Sequence, residues 1–483
     1  MRISKTLRMI LVSMMVLPIT LISIVLLGKE LPGQLGCPKR EENGENTIQN
    51  IFGFPYFEVQ FNKKGKVHDE KEVTAVTKFL AEGGTTDLFI ISHGWNNDRN
   101  EARDLYCKFF KYMREVLEDK VVPGIDARKF AIVGIFWPSK KFADKELKPG
   151  GAAFAELSVP DTDIMEQLNT LKEIFEDTNA DKILEKLKQS VSKLDDSQDE
   201  CERFIDLVRS LLPQQETAGD EDASKEFLKL PADEIIRRLD MSLPTPMIRS
   251  DGSAQNSDMK KFGKISFSKK SIISDILNYL TYYQMRERAS IVGFNGVNQL
   301  LQKIQTQCSD IKIHLIGHSF GGRLVAAAAT GSDKQPVVKS TTMFLLQAAF
   351  SHYGFAELYD DVNNGFFRSM ITKSTVSGPI LITCTKNDRV LGIPYALASR
   401  LAGHIAKLVV GDENDPYGAI GRNGAQKTPE AATDEKELRE PGYKYKFQKS
   451  KIYNLNGDNY IGGHSDICKE EIAYAVLVAV SKT

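Results

Sequence analysis

The chain has 483 residues, 42% hydrophobic and 26% charged, a balance that excludes a largely disordered protein and suffices for a large folded unit with insertions. Its formal net charge of −1 offers no global field to nucleic acid, which is therefore not an expected partner. The six cysteines are scattered, with no C-x-x-C pair and no metal-ligand spacing, so neither metal nor cofactor is expected; one or two disulfides would require an oxidising compartment.

Residues 9–28 carry no charge and are dominated by Ile, Leu, Val and Met. A run of about 20 such residues matches the thickness of a bilayer core. Arg2, Lys5 and Arg8 precede it, so the positive-inside rule leaves the tip in the cytoplasm and the bulk of the chain on the other side. Residues 1–30 thus read as a single transmembrane anchor or uncleaved signal, followed by a polar linker over 31–50. Two alternatives stand beside it. A cleaved signal would release a secreted protein, although Val25-Leu26-Leu27-Gly28 is no small-x-small cleavage site. A lipoprotein is the other, since Gln34-Leu35-Gly36-Cys37 resembles the bacterial lipid-attachment box, with Gln34 where a Leu is usual.

From residue 51 onward the pattern changes to strands alternating with helices. Alternation of apolar and polar residues predicts a strand over 54–61, and helical spacing predicts a helix over 72–81 that Gly83-Gly84 ends. Residues 87–92 form a short continuous apolar run, the pattern of a buried parallel strand, leading into His93-Gly94-Trp95-Asn96-Asn97. A helix over 101–117 and a strand over 130–136 follow, the latter ending in Trp137-Pro138-Ser139. From 140 to 274 the chain is polar and charged with helical patterns such as Leu184, Leu187, Val191 and Leu194, and reads as a helical insertion. That insertion is either a lid or partner-binding cap, or a passive elaboration. A helix over 285–308, a strand over 311–316 and a helix over 321–330 come next. Strands over 342–346 and 380–384, a helix near 396–406, a strand over 451–455 and a helix over 470–482 complete the chain. This order argues for an α/β fold with a mostly parallel, doubly wound sheet whose core is 51–139 and 275–483.

Gly317-His318-Ser319-Phe320-Gly321 lies between a predicted strand and a predicted helix, the context that gives G-x-S-x-G its meaning. So tight a turn strains the serine backbone, and any side chain two positions either side would collide with its neighbours. The turn lifts the Ser319 hydroxyl above the sheet edge and aims the Phe320 N–H at developing negative charge. A serine needs a base, and in such a fold acid and histidine follow the serine. Of seven histidines, His68 and His93 precede it, His314 and His318 belong to its own strand and turn, His352 comes too early and His404 lies in a predicted helix. His464 remains. Asp388 follows the strand 380–384 and is the expected acid; Asp412, Asp415 and Asp458 satisfy the order but not the placement. The loop His93-Gly94-Trp95 stands where the second oxyanion donor belongs, with Gly94 permitting close approach and the Trp95 N–H donating.

With these residues the chain resembles the α/β-hydrolase superfamily, in particular its bacterial serine esterase and lipase-like members of poorly defined substrate. The resemblance rests on Ser92-His93-Gly94-Trp95-Asn96, Phe136-Trp137-Pro138-Ser139, Tyr283-Gln284-Met285-Arg286-Glu287-Arg288-Ala289, the elbow, Thr385-Lys386-Asn387-Asp388 and His464. It covers residues 54–139 and 279–483. It implies hydrolysis of a small-molecule or lipid-like acyl ester through an acyl-enzyme on Ser319, with His464 and Asp388. The alternatives are an acyltransferase using the same three residues, and a membrane-tethered binding module.

Overall fold

The computed structural model describes residue 37 and residues 49–139, 159–175, 178–212, 224–240, 268–332, 336–391 and 417–483. The apolar run 9–28, most of the linker, parts of the insertion and the expected helix near 396–406 lie outside the described residues. Among those that are described, no helix is long and apolar enough to cross a membrane.

Among the described residues eight strands form one sheet: β1 (Gln49–Ile51), β2 (Phe54–Gln60), β3 (Asp87–Ser92), β4 (Phe130–Phe136), β5 (Lys312–His318), β6 (Thr342–Leu346), β7 (Ile380–Cys384) and β8 (Ile452–Asn456). Their order is β1-β2-β4-β3-β5-β6-β7-β8, parallel throughout except for β1. The short edge strand β1 falls where a linker was expected; a two-residue turn, Phe52-Gly53, folds it back on β2.

Because strand side chains alternate, each central strand feeds two cores. Leu88 and Ile90 of β3 join Leu315 of β5 and Leu345 of β6 on one face. Phe89 and Ile91 join Ile316, Phe344 and Leu381 on the other. Helices α1 (Glu70–Ala81), α8 (Lys269–Ile291), α9 (Asn298–Gln307) and α10 (Phe320–Thr330) cover the first face. Helix α2 (Arg99–Glu118) and the last helix (Glu470–Ser481) cover the second. This is an α/β fold with helices on both sides of a mostly parallel sheet.

The insertion supplies α3 (Asp161–Phe175), α4 (Thr178–Ser190), α5 (Gln198–Arg209), α6 (Ser224–Lys229) and α7 (Ala232–Asp240). Their apolar stripes, for instance Leu168 and Leu171 of α3 and Phe204 and Ile205 of α5, share one buried cluster with Ile273, Ile276 and Leu280 of α8. Helix α8 starts at Lys269, capped by the Ser268 hydroxyl, so the sequence boundary at 274 falls inside it. The helix expected over 285–308 is interrupted by a π-helix, Val292–Val297. Two close approaches accompany that change of pitch: Gly293 packs on the Leu324 carbonyl and Ala327 of α10, and Gly296 on Phe61 and Gly65.

At the amino end of the sheet, Asp87 is fully buried and accepts from His314 Nε2 at 2.8 Å and Arg128 Nη1 at 2.7 Å. Arg128 Nη2 continues to the Thr483 carbonyl at 2.7 Å, tying the carboxyl-terminal helix to β3. Burial alone would raise the Asp87 carboxyl, but hydrogen bonds from His314 and Thr86 and the charge of Arg128 outweigh it and hold it below its ordinary value. A carboxyl so lowered adds stability that is complete above the ordinary carboxylate range and disappears as pH falls through the lowered folded value. Asp87→Ala leaves the buried His314 Nε2 without its acceptor and takes the carboxylate from the partly buried Arg128, and is expected to cost about 2–3 kcal/mol in urea unfolding at neutral pH. It should also flatten the loss of stability on acidification, and an unchanged acid limb would contradict this account of Asp87.

Candidate active site

The chain leaves β3 toward β4 on one side and runs from β5 to β8 on the other, so the winding reverses between β3 and β5. An open α/β sheet binds ligands at the carboxyl ends of the strands flanking such a reversal. The predicted site residues all lie at that edge: His93 and Gly94 after β3, Ser319 after β5, Asp388 after β7 and His464 after β8.

β5 ends at His318 and α10 begins at Phe320, leaving Ser319 alone to make the turn. It adopts φ 56° and ψ −125°, a conformation costing an L-residue about 1–3 kcal/mol. Three backbone hydrogen bonds hold it: Ser319 N–H to the Leu346 carbonyl (3.2 Å), and Gly322 and Ala349 N–H to the Ser319 carbonyl (2.9 and 3.0 Å). A Cβ on Gly321 would overlap the Ser92 carbonyl and lie 2.6 Å from that of His93, and one on Gly317 would lie 2.5 Å from Gly322 Cα. Only glycine allows α10 to start this close to the β3 loop.

His464 Nε2 lies 2.8 Å from Ser319 Oγ, and its Nδ1 lies 2.7 Å from Asp388 Oδ2. Since a carboxylate only accepts, Nδ1 carries the hydrogen and Nε2 is left to accept the serine proton. Asp388 is fully buried, and its Oδ1 accepts from the Leu391 N–H at 3.1 Å. Asp458 has a different task. It accepts from Thr385 Oγ1 (2.9 Å) and Lys386 N–H (2.8 Å), bracing the turn that carries Asp388. Asp412, Asp415 and His404 lie outside the described residues.

Two residues outside the expected set hold the histidine loop. His318 Nε2 donates to the His464 carbonyl at 2.8 Å. Burial, and next the adjacent His464, push the His318 ring down to about 3, so it stays neutral. Gln347 Nε2 donates to the carbonyls of Gly463 (3.0 Å) and His464 (3.3 Å), and its Oε1 accepts from Thr383 Oγ1 at 3.1 Å. Gln347 belongs to no motif. Its only sequence signal is a polar residue directly after the apolar strand β6 that the structure fully buries.

The β3 loop is braced as thoroughly. His93 is buried against Trp137, with ring centroids 5.6 Å apart and planes within 12°. Its Nδ1 donates to the Gly94 carbonyl at 2.9 Å, its N–H donates to Tyr106 Oη at 2.9 Å, and its carbonyl accepts from Trp137 Nε1 at 3.0 Å. Burial brings its ring down to about 4, so it too is neutral. Ser139 completes the brace: its carbonyl accepts from Asn96 N–H at 3.1 Å and its hydroxyl donates to the Asn97 carbonyl at 2.8 Å. The Trp-Pro-Ser run thus serves to fix the loop. Gly94 sits so near the serine that a Cβ there would lie 2.6 Å from Ser319 Cβ.

Above the elbow three rings meet. Tyr282 of α8 packs on Phe320 with centroids 4.8 Å apart, and Trp95 lies 6.2 Å from Tyr282 and 6.1 Å from Phe320. The arrangement can therefore remove a proton from a serine hydroxyl and stabilise the resulting imidazolium. No family model, curated protein or solved structure matches the chain.

Gly94→Ala should displace the β3 loop from Ser319 and slow labelling of Ser319 by a fluorophosphonate about 10²-fold. Gln347→Ala should slow it by about tenfold or more by freeing the His464 backbone. Labelling at the wild-type rate in both variants would remove any role for these supports.

Proposed function

We propose that the chain is a serine hydrolase of the α/β-hydrolase fold that cleaves a carboxylic ester through an acyl-enzyme on Ser319. The observation that carries this reading is the unbroken hydrogen-bonded series Ser319 Oγ, His464 Nε2, His464 Nδ1, Asp388 Oδ2, with spacings of 2.8 and 2.7 Å, on a serine with left-handed backbone angles.

In this mechanism Ser319 Oγ attacks the ester carbonyl as its proton passes to His464 Nε2. Asp388 keeps the proton on Nδ1 and stabilises the imidazolium. The negative charge on the former carbonyl oxygen is met by the N–H of Phe320, the first residue of α10 and so without an intrahelical acceptor, and by the Trp95 N–H of the β3 loop. Collapse breaks the bond to the alcohol, which takes the proton from Nε2. Water then attacks the acyl-enzyme, giving its proton to Nε2; collapse breaks the bond to Ser319 Oγ, which takes that proton back as the acid is released. The half-buried rings of Trp95 and Tyr282 beside the elbow favour an ester with an apolar or aromatic portion.

The enzyme would act beside a membrane. Residues 9–28 supply the anchor, and the Cys37–Cys107 disulfide, with Cα atoms 5.7 Å apart, supports a catalytic domain on the non-cytoplasmic side. A Cys37 engaged in a disulfide is not available for lipid attachment, which favours the anchor over the lipoprotein reading.

A fluorophosphonate should label the wild-type chain at Ser319, and turnover of chromogenic esters should fall by a factor on the order of 10⁴–10⁶ in Ser319→Ala. Folded wild-type protein that neither labels nor turns over any ester of a graded chain-length panel would sink the proposal. Deleting residues 1–30 should move the protein from the membrane to the soluble fraction; retention in the membrane would refute the anchor.

A further inference from the structure

Away from Ser319, a cavity of about 450 Å³ opens between the turn after β2 and the start of α9. None of its lining residues belongs to the Ser319, Asp388 and His464 loops, and the turn that forms one wall follows β2, three positions from β5 in the sheet. Lys64 and Lys66 stand on one wall, and Lys303 of α9 on the other. The one carboxylate in the lining is Glu70, paired with Lys303 at 2.8 Å, so the cavity keeps an excess of two positive charges. The amides of Asn295 and Gln299 add neutral donors and acceptors.

The walls are built rather than incidental. Asn62 Oδ1 accepts from the N–H groups of both Lys64 and Lys66, at 2.9 and 3.1 Å, which fixes the turn that presents the two lysines. Gly65, at φ +76°, lies between them and packs its backbone where α8 passes into the π-helix: a Cβ there would come within 2.9 Å of the Ile291 carbonyl and 3.1 Å of the Gly296 nitrogen. A Cβ on Gly296 would in turn lie 2.5 Å from the Gly65 carbonyl. The two glycines clamp the lysine turn to a π-helical segment, a distortion that recurs at functional sites.

We propose that this cavity binds a phosphate monoester carried on a polar body. A dianionic phosphate matches the two uncompensated ammonium charges, where a carboxylate would leave one unmet. The volume exceeds that of bare phosphate and lies in the range of small-ligand sites. The amides then face the hydroxyls of the body. The phosphate can belong to a soluble ester or to an anionic lipid headgroup.

Calorimetric titration of the full-length chain in detergent distinguishes these sources, using inorganic phosphate, glycerol 3-phosphate, short-chain phosphatidic acid and short-chain phosphatidylcholine. Saturable binding of glycerol 3-phosphate that weakens with added salt is expected, with phosphatidylcholine inert. Tighter binding of phosphatidic acid than of glycerol 3-phosphate identifies a lipid headgroup; equal or weaker binding identifies a soluble ester. Lys64→Ala combined with Lys66→Ala, both exposed positions, should weaken binding by about tenfold or more with unchanged melting. Asn295→Asp, which adds an anion without removing a lysine, should weaken it as well. Ser319→Ala should bind as wild type, since this site is independent of the serine chemistry. Absence of saturable binding by every phosphate-bearing ligand, or wild-type affinity in the double lysine variant, would overturn the proposal.

Discussion

At Ser319 a residue with a side chain is held at φ 56° between the last residue of β5 and the first of α10. Such a conformation persists only where the surroundings over-determine it. Here β6 fixes it from one side, through the Leu346 carbonyl and the Ala349 N–H, and the β3 loop fixes it from the other, pressed against Gly321. The same packing that forces the turn also brings Gly94 against Ser319. Two further residues at this edge share the left-handed region, Asn96 at φ 60° in the β3 loop and Gln347 at φ 40° after β6. Strain is thus gathered around one crevice, and each strained residue is tied to a neighbour by hydrogen bonds.

The sheet divides its labour between its two ends. The carboxyl end carries strained turns and the serine–histidine–aspartate series. The amino end carries the buried Asp87, His314 and Arg128 cluster, which anchors the chain terminus. Helix α8 connects the site to the insertion: Arg288 donates to the carbonyls of Pro138, next to the β3-loop brace, and Ile174 of α3, at 2.9 and 3.0 Å. Tyr282 on the same helix packs on Phe320, the residue after Ser319. The insertion therefore shares its core with the helix that packs on the elbow.

Much of this architecture was legible in the sequence because burial on both faces leaves a distinctive trace. β3, β4, β6 and β7 coincide with their apolar runs, each bounded on at least one side by a polar residue. That Ser319, Asp388 and His464 come together was legible because a steric requirement for glycine and the order of strands restrict their positions. What escaped depends on contacts distant in sequence. Gln347 acts on the backbone of residues 463 and 464, and nothing near it signals that partner. The π-helix follows an ordinary helical pattern of apolar residues and differs only through what Gly293 and Gly296 touch. β1 is three residues long, too short for alternation to register.

The central claim is that Ser319 becomes acylated during turnover. Rapid-quench mass spectrometry of the full-length chain mixed with a slowly hydrolysed ester tests it most directly. The account predicts a transient adduct with the mass of the acyl group, mapped to the peptide containing Ser319 and lost as product acid accumulates. Ester turnover with no adduct at any time, together with undiminished turnover in Ser319→Ala, would contradict it.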